Sequence, residues 1–255
     1  MSEVRTENRD GVVWLTFDRT AQRNAMTWAM YEALEQTCAE VDEDPDVRGL
    51  VLRGAGGRAF VAGTDISQFR EVTSAEAGVE YERTIDRVVD RLEAVTKPTV
   101  ALIEGAAVGA GLVLAATCDL RVATSSARFG MPIARTLGNT LSMANFARLV
   151  ALVGEARVKQ LLLTARLIDP SEALAWGMVT EVATGDAEAR AQALVELVAA
   201  HAPITVDVTK VALARLRAAG LPDGDDLIGR AYGSADFAAA VEAFMAKGKP
   251  DWTGS

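Results

Sequence analysis

Short, nearly unbroken apolar runs alternate with helically spaced apolar positions through the first half of this chain. Val12-Val13-Trp14-Leu15-Thr16-Phe17 and Val47–Arg53 are runs of the first kind, the second closing on the turn Gly54-Ala55-Gly56-Gly57. Runs of that length, rich in β-branched and aromatic residues and bounded by glycine, predict buried strands. Between them Met30, Leu34 and Val41 come after Thr27, whose hydroxyl suits an N-cap, so the spacing predicts a helix. A loop over Ala59–Asp65 leads through a polar segment to a long helix, Ala75–Ala94, and Lys97-Pro98 opens another strand, Thr99–Ile103. A glycine turn carries that strand into a small-residue helix, Ala110–Ala116, and Asp119–Ala123 is the next strand. Beyond an irregular stretch the pattern is helical: Ser142–Val153, Glu155–Thr164, Ser171–Trp176 and three C-terminal helices. Strands alternating with helices, then helices alone, predict an α/β core over residues 1–198 and a helical C-terminal region over 199–255.

The length, 255 residues, is enough to bury a substantial core. A formal net charge of −9 speaks against general affinity for nucleic acid or anionic membranes, which want a basic face. A phosphorylated ligand remains compatible with it, provided a few Lys or Arg side chains collect locally. Cys38 and Cys118 form no metal or redox motif, and no signal peptide opens the sequence, so a reduced cytoplasmic protein is expected. The single histidine, His201, lies in an Ala-His-Ala-Pro linker with no nucleophile elbow for it to serve, and reads as structural. From Pro98 to Thr117 the only charge is Glu104, as in a membrane helix. Gly105, Gly109 and Gly111 divide that stretch into unlike halves, however, so strand, turn and buried helix is the better reading.

Two segments suit ligand binding through the backbone: Ala62-Gly63-Thr64-Asp65 and Gly105-Ala106-Ala107-Val108-Gly109-Ala110-Gly111. Their small residues let backbone N–H groups approach a ligand, and a helix N-terminus adds unsatisfied donors and partial positive charge. If the segments converge, two N–H groups can grip an oxygen that becomes negative during reaction. The second segment matches neither the dinucleotide fingerprint nor a P-loop. Its plain alternative is a tight strand–helix turn with no ligand.

The order of motifs resembles the enoyl-CoA hydratase/isomerase (crotonase) superfamily over nearly the whole chain. The likeness runs from Arg23-Asn24-Ala25 through Phe60–Ile66, Lys97–Ala101, Glu104–Gly111, Cys118-Asp119-Leu120 and Phe129-Gly130-Met131-Pro132. It continues with Leu163-Thr164, Ala173 and Trp176–Val179, and ends at Ala243-Phe244-Met245 and Lys247. The resemblance implies a spiral of ββα units, a homotrimer or dimer of trimers, and a coenzyme A thioester as substrate with no separate cofactor or metal. It places the oxyanion-hole donors on the backbone N–H groups of Thr64 and Ala110, with Ala62, Gly63 and Gly109 beside the substrate. It also sets Arg23 and Lys247 near the CoA phosphates; as bare residues they read equally as solvated surface charge.

The likeness breaks at the acid/base groups. Hydratases of the superfamily use two glutamates, which a water addition needs to activate water and protonate carbon. Their places fall here on Val113, one turn beyond Ala110, and Ile133, directly after Pro132. Asn139, Thr140, Leu141 and Ser142 occupy the region where other members carry an aspartate. Asp65 is a candidate replacement, although it also suits an N-cap for the segment starting at Ile66. Glu104 is another, since apolar surroundings would raise its pKa, with an outward-pointing strand end as the alternative. Arg135 and Asn139 could orient a polar acyl group or simply hold the loop together. The expectation is an acyl-CoA enzyme that works through an enolate and is not an efficient ordinary hydratase. The alternatives are a non-catalytic acyl-CoA-binding homologue and, more remotely, a nucleotide-dependent oxidoreductase, which the missing fingerprint disfavours.

Overall fold

The computed structural model describes residues 3–250 and 252–254. The chain opens with a hairpin of β1 (Val4–Arg9) and β2 (Val12–Phe17), paired antiparallel from Val4↔Phe17 to Arg9↔Val12. Asp10 and Gly11 form its turn with positive φ at both positions (51° and 83°), as a two-residue turn between twisted strands requires. Helix α1 (Trp28–Glu43) is next, and the Thr27 side chain caps it by accepting from the Met30 N–H.

Three strand–strand–helix units come after it. They are β3 (Gly49–Gly54), β4 (Ala59–Val61) and α2 (Ala75–Glu93); β5 (Thr99–Ile103), β6 (Ala106–Val108) and α3 (Ala110–Thr117); and β7 (Leu120–Ala123), β8 (Arg128–Gly130) and the one-turn α4 (Ile133–Thr136). The first strand of each unit enters a six-stranded sheet, β1-β2-β3-β5-β7-β10, and the second enters a four-stranded sheet, β4-β6-β8-β9. Each unit therefore advances both sheets by one strand, which is a spiral. Helices α5 (Met143–Val153) and α6 (Glu155–Thr164), strand β9 (Leu167–Ile168), α7 (Pro170–Ala175) and β10 (Glu181–Val182) complete it.

The apolar runs are nearly continuous because the larger sheet is covered on both faces. Leu15, Leu50, Leu52, Ala101 and Ile103 point into the main core. The alternating positions Trp14, Val51, Val100 and Leu102 point the other way and meet Ala191, Leu194 and Val195 of α8 (Ala187–Ala199). Thus among the described residues four helices, not three, come after Trp176, and the first of them closes the sheet. The others are α9 (Pro203–Ala218), α10 (Asp225–Tyr232) and α11 (Ala235–Met245). Helix α10 crosses α2 so closely that a Cβ on Gly78 would lie 2.2 Å from Cβ of Tyr232. Among the described residues no single helix is long and apolar enough to cross a membrane.

Two stretches differ from the sequence expectation. Ala59–Val61 is a strand rather than loop, and the glycine turn after β5 contains strand β6. Both are three residues long, too short to show a period. Cys38 and Cys118 are buried, and burial pushes both thiols up to about 12, as inert core side chains. His201 lies between α8 and α9.

Candidate active site

The three parallel strands of the smaller sheet end side by side, and the segments leaving their C-terminal ends form the site. β4 runs into Ala62-Gly63-Thr64, β6 into Gly109-Ala110, and β8 into Met131-Pro132-Ile133. Gly109 has φ 60° and ψ −124°, a conformation open to glycine and strained for other residues. A Cβ there would lie 3.4 Å from Cα of Gly63, so the two glycine segments touch. On the far side of α3's first turn, a Cβ on Gly111 would lie 2.0 Å from the Val61 carbonyl oxygen. The turn is thereby clamped against β4.

This convergence leaves two N–H groups unspent. Thr64 bridges Met26 in parallel fashion, with the Gly63 carbonyl accepting from Met26 and the Asp65 N–H donating to it. Alternation along an extended chain turns the intervening Thr64 N–H to the opposite side. Ala110 is the first residue of α3, where an N–H has no intrahelical partner. Among the described residues neither N–H finds an acceptor. The Thr64 hydroxyl is held by two phenols, Tyr31 at 2.8 Å and Tyr81 at 2.9 Å, which fixes the segment. Two preset donors at the edge of a cavity can stabilise a developing oxyanion.

The cavity has a volume of about 760 Å³ and is walled largely by apolar side chains, among them Val113, Ile133, Leu114 and Leu141. Among the described residues its lining contains two carboxylates, Asp65 and Glu82. Asp65 is engaged: it accepts from the Ser67 N–H and hydroxyl and pairs with Arg19 at 2.8 Å. Partial burial would raise its pKa, but these bonds from Ser67 and Arg19 win and hold it below the usual carboxylate range. Glu82, on α2, is only 4% exposed, and among the described residues no cation sits on it. One oxygen accepts from the Tyr232 hydroxyl at 2.5 Å and the other from the Ser142 N–H at 3.2 Å. Burial pushes its pKa up to about 8, against the downward pull of the Tyr232 bond. Asn139 donates to Tyr232 at 3.1 Å, while its own side-chain oxygen is buried with no partner among the described residues.

Residues 7–255 match the family described as Enoyl-CoA hydratase/isomerase. The chain belongs to that family. It is 32% identical to the short-chain-enoyl-CoA hydratase of Clostridium acetobutylicum over 254 residues, covering 98% of this chain and 97% of the relative. The crystal structure of an enoyl-CoA hydratase/carnithine racemase from Magnetospirillum magneticum superimposes with a TM-score of 0.80 at 30% identity, covering 100% of this chain and 97% of that one. A methylmalonyl-CoA decarboxylase in complex with 2-nitronate-propionyl-CoA matches with a TM-score of 0.89, covering 100% and 99%. At 24% identity that likeness speaks for the fold alone.

In this family member the cavity brings together Arg23, Ala62, Gly63, Thr64, Asp65, Gly109, Ala110, Val113, Ile133, Asn139 and Lys247. It does not include Glu104 or Arg135. Glu104 precedes β6, so it lies at the opposite end of the smaller sheet from the site. There Gly105 is tied by its N–H to Ser126 and by its carbonyl to the Arg128 N–H. Arg135 is exposed on α4, whose Ile133 and Thr136 face the cavity instead, as does Leu137 at its end. Glu82, Tyr31, Tyr81 and Tyr232 escaped the sequence reading. Glu82 sits on a strongly amphipathic helix, where an acid reads as solvated, yet its burial repeats with Ile85 and Val89 on the inward face.

Proposed function

We propose that this chain is an enzyme acting on acyl-CoA thioesters, with the Thr64 and Ala110 backbone N–H groups holding the thioester oxygen as it becomes an enolate. The observation that carries this reading is the pair of unpartnered N–H groups where the two glycine segments meet. An enolate concentrates its charge on that oxygen, and each such donor is worth about 3 kcal/mol in the transition state. Family membership supports the thioester, as do the substrates named for the relatives. Arg23 and Lys247 line the same cavity, both exposed, and are proposed to meet the CoA phosphates. With Val113 and Ile133 in the wall, the proposed reaction is not ordinary hydration, because neither can activate water.

The apolar wall favours one second reading, a homologue that binds acyl-CoA without turning it over. A homotrimer or dimer of trimers is proposed as well, supported by α9, which exposes Ile204, Leu213 and Leu216. A monomer in light scattering would count against the assembly.

The test is mass spectrometry of saturated and unsaturated acyl-CoAs incubated with the protein in D2O. Deuterium at the α-carbon, or a new product, supports the enolate reading. Binding without either selects the non-catalytic reading, and absence of binding sinks both.

A further inference from the structure

We propose that Glu82 is the acid/base group of this site, moving the proton on the carbon next to the thioester carbonyl. The inference rests on the enolate reading and adds the group that reading lacks. Of the two carboxylates that line the cavity among the described residues, Asp65 is spent on Ser67 and Arg19. Among the described residues no cation pairs with Glu82, and it comes directly after Tyr81, whose hydroxyl is bonded to Thr64. The residue carrying one hole donor is therefore one hydrogen bond away from the helix turn that carries the carboxylate.

The chemistry balances within these groups. A Glu82 carboxylate oxygen takes the α-proton, and the C–H electron pair moves into a carbon–carbon double bond. The thioester π pair moves to oxygen, facing the Thr64 and Ala110 N–H groups. In reverse, the protonated acid returns a proton to carbon, and in D2O it returns a deuteron. A base works best with a pKa near the operating pH, and burial holds Glu82 at about 8.

The groups around it allow both charge states. Tyr232, from α10, donates to the carboxylate and favours its ionised form. Asp86, one turn further along α2, opposes ionisation by its own charge; burial raises its pKa too, and it accepts from Ser142 and Asn145. Arg148, from α5, is engaged by Asp90 and Glu93 rather than by Glu82. Tyr31, from α1, and Tyr81 are neutral, burial pushing both phenols up. Asn139, from the loop after α4, supports Tyr232 with its amide N–H.

The experiment tracks α-deuteration of butyryl-CoA in D2O, with binding measured separately by calorimetry. Glu82→Gln is expected to slow exchange by about a hundredfold or more while Kd for butyryl-CoA changes little. Wild-type exchange is expected to rise with pH and level off above a midpoint near 8. Tyr232→Phe, which keeps the carboxylate but removes a donor to its charged form, is expected to move that midpoint upward. Wild-type exchange with Glu82→Gln equally fast overturns the Glu82 assignment and leaves the enolate reading standing. Binding with no wild-type exchange overturns the enolate reading and the assignment with it. If Glu82→Gln does not fold, the pH profile decides: a flat profile, or a midpoint unmoved in Tyr232→Phe, overturns the assignment.

Discussion

Replacing Ala110 by proline isolates one hole donor with little damage to the fold. Ala110 is the first residue of α3, where proline is well tolerated because that N–H has no helical partner. A residue before proline must avoid the helical region. Gly109, at φ 60° and ψ −124°, is the mirror image of an extended conformation, which glycine adopts without strain. The substitution therefore removes the donor and sets a ring carbon in its place. One oxyanion donor is worth about 3–4 kcal/mol, so α-deuteration should fall by roughly 10²–10³-fold. Ala110→Gly keeps the N–H and should retain exchange within about fivefold, at a helix cost of up to about 1 kcal/mol. Exchange is measured by mass spectrometry, alongside thermal melts to show that both variants fold. A folded Ala110→Pro that exchanges within threefold of wild type, about 0.7 kcal/mol, would refute the reasoning.

Gly111→Ala should lower Tm by several degrees, because its Cβ would fall 2.0 Å from the Val61 carbonyl oxygen and overpacking costs about 1–3 kcal/mol; an unchanged melt would refute the clamp. Thr64→Val keeps the backbone donor but strips the hydroxyl from Tyr31 and Tyr81, both buried. Denaturant unfolding should show a loss of about 1–3 kcal/mol. Stability should also report Glu82, whose pKa rises from 4.5 to about 8 on folding. Between those values the unfolded state has released a proton that the native state keeps, so stability falls as pH rises and levels off above 8. Glu82→Gln removes that slope. From pH 5 to 8 its stability relative to wild type should therefore rise by about a few kcal/mol; parallel curves would refute the burial argument.

Local pattern was enough to order the chain's main elements. The runs Val12–Phe17 and Thr99–Ile103 are apolar at all but one position each, and Thr27 and Asp65 carry cap side chains that act within a few residues. The two glycine segments were legible for the same reason, since backbone approach needs small residues in the segment itself. β1 was not legible, because Val4–Arg9 pairs at a sheet edge with its polar side chains in water, although Asp10-Gly11 is a hairpin signal. The second sheet rests on strands of two or three residues that acquire meaning only when paired with one another. Which end of those strands held the site, and so the exclusion of Glu104, depended on that pairing. Glu82 depended most on tertiary structure. Its side chain is buried because α10 brings Tyr232, 150 positions away, across Gly78. Desolvation of a carboxylate is set by whatever packs over it, and along the sequence those neighbours are out of reach.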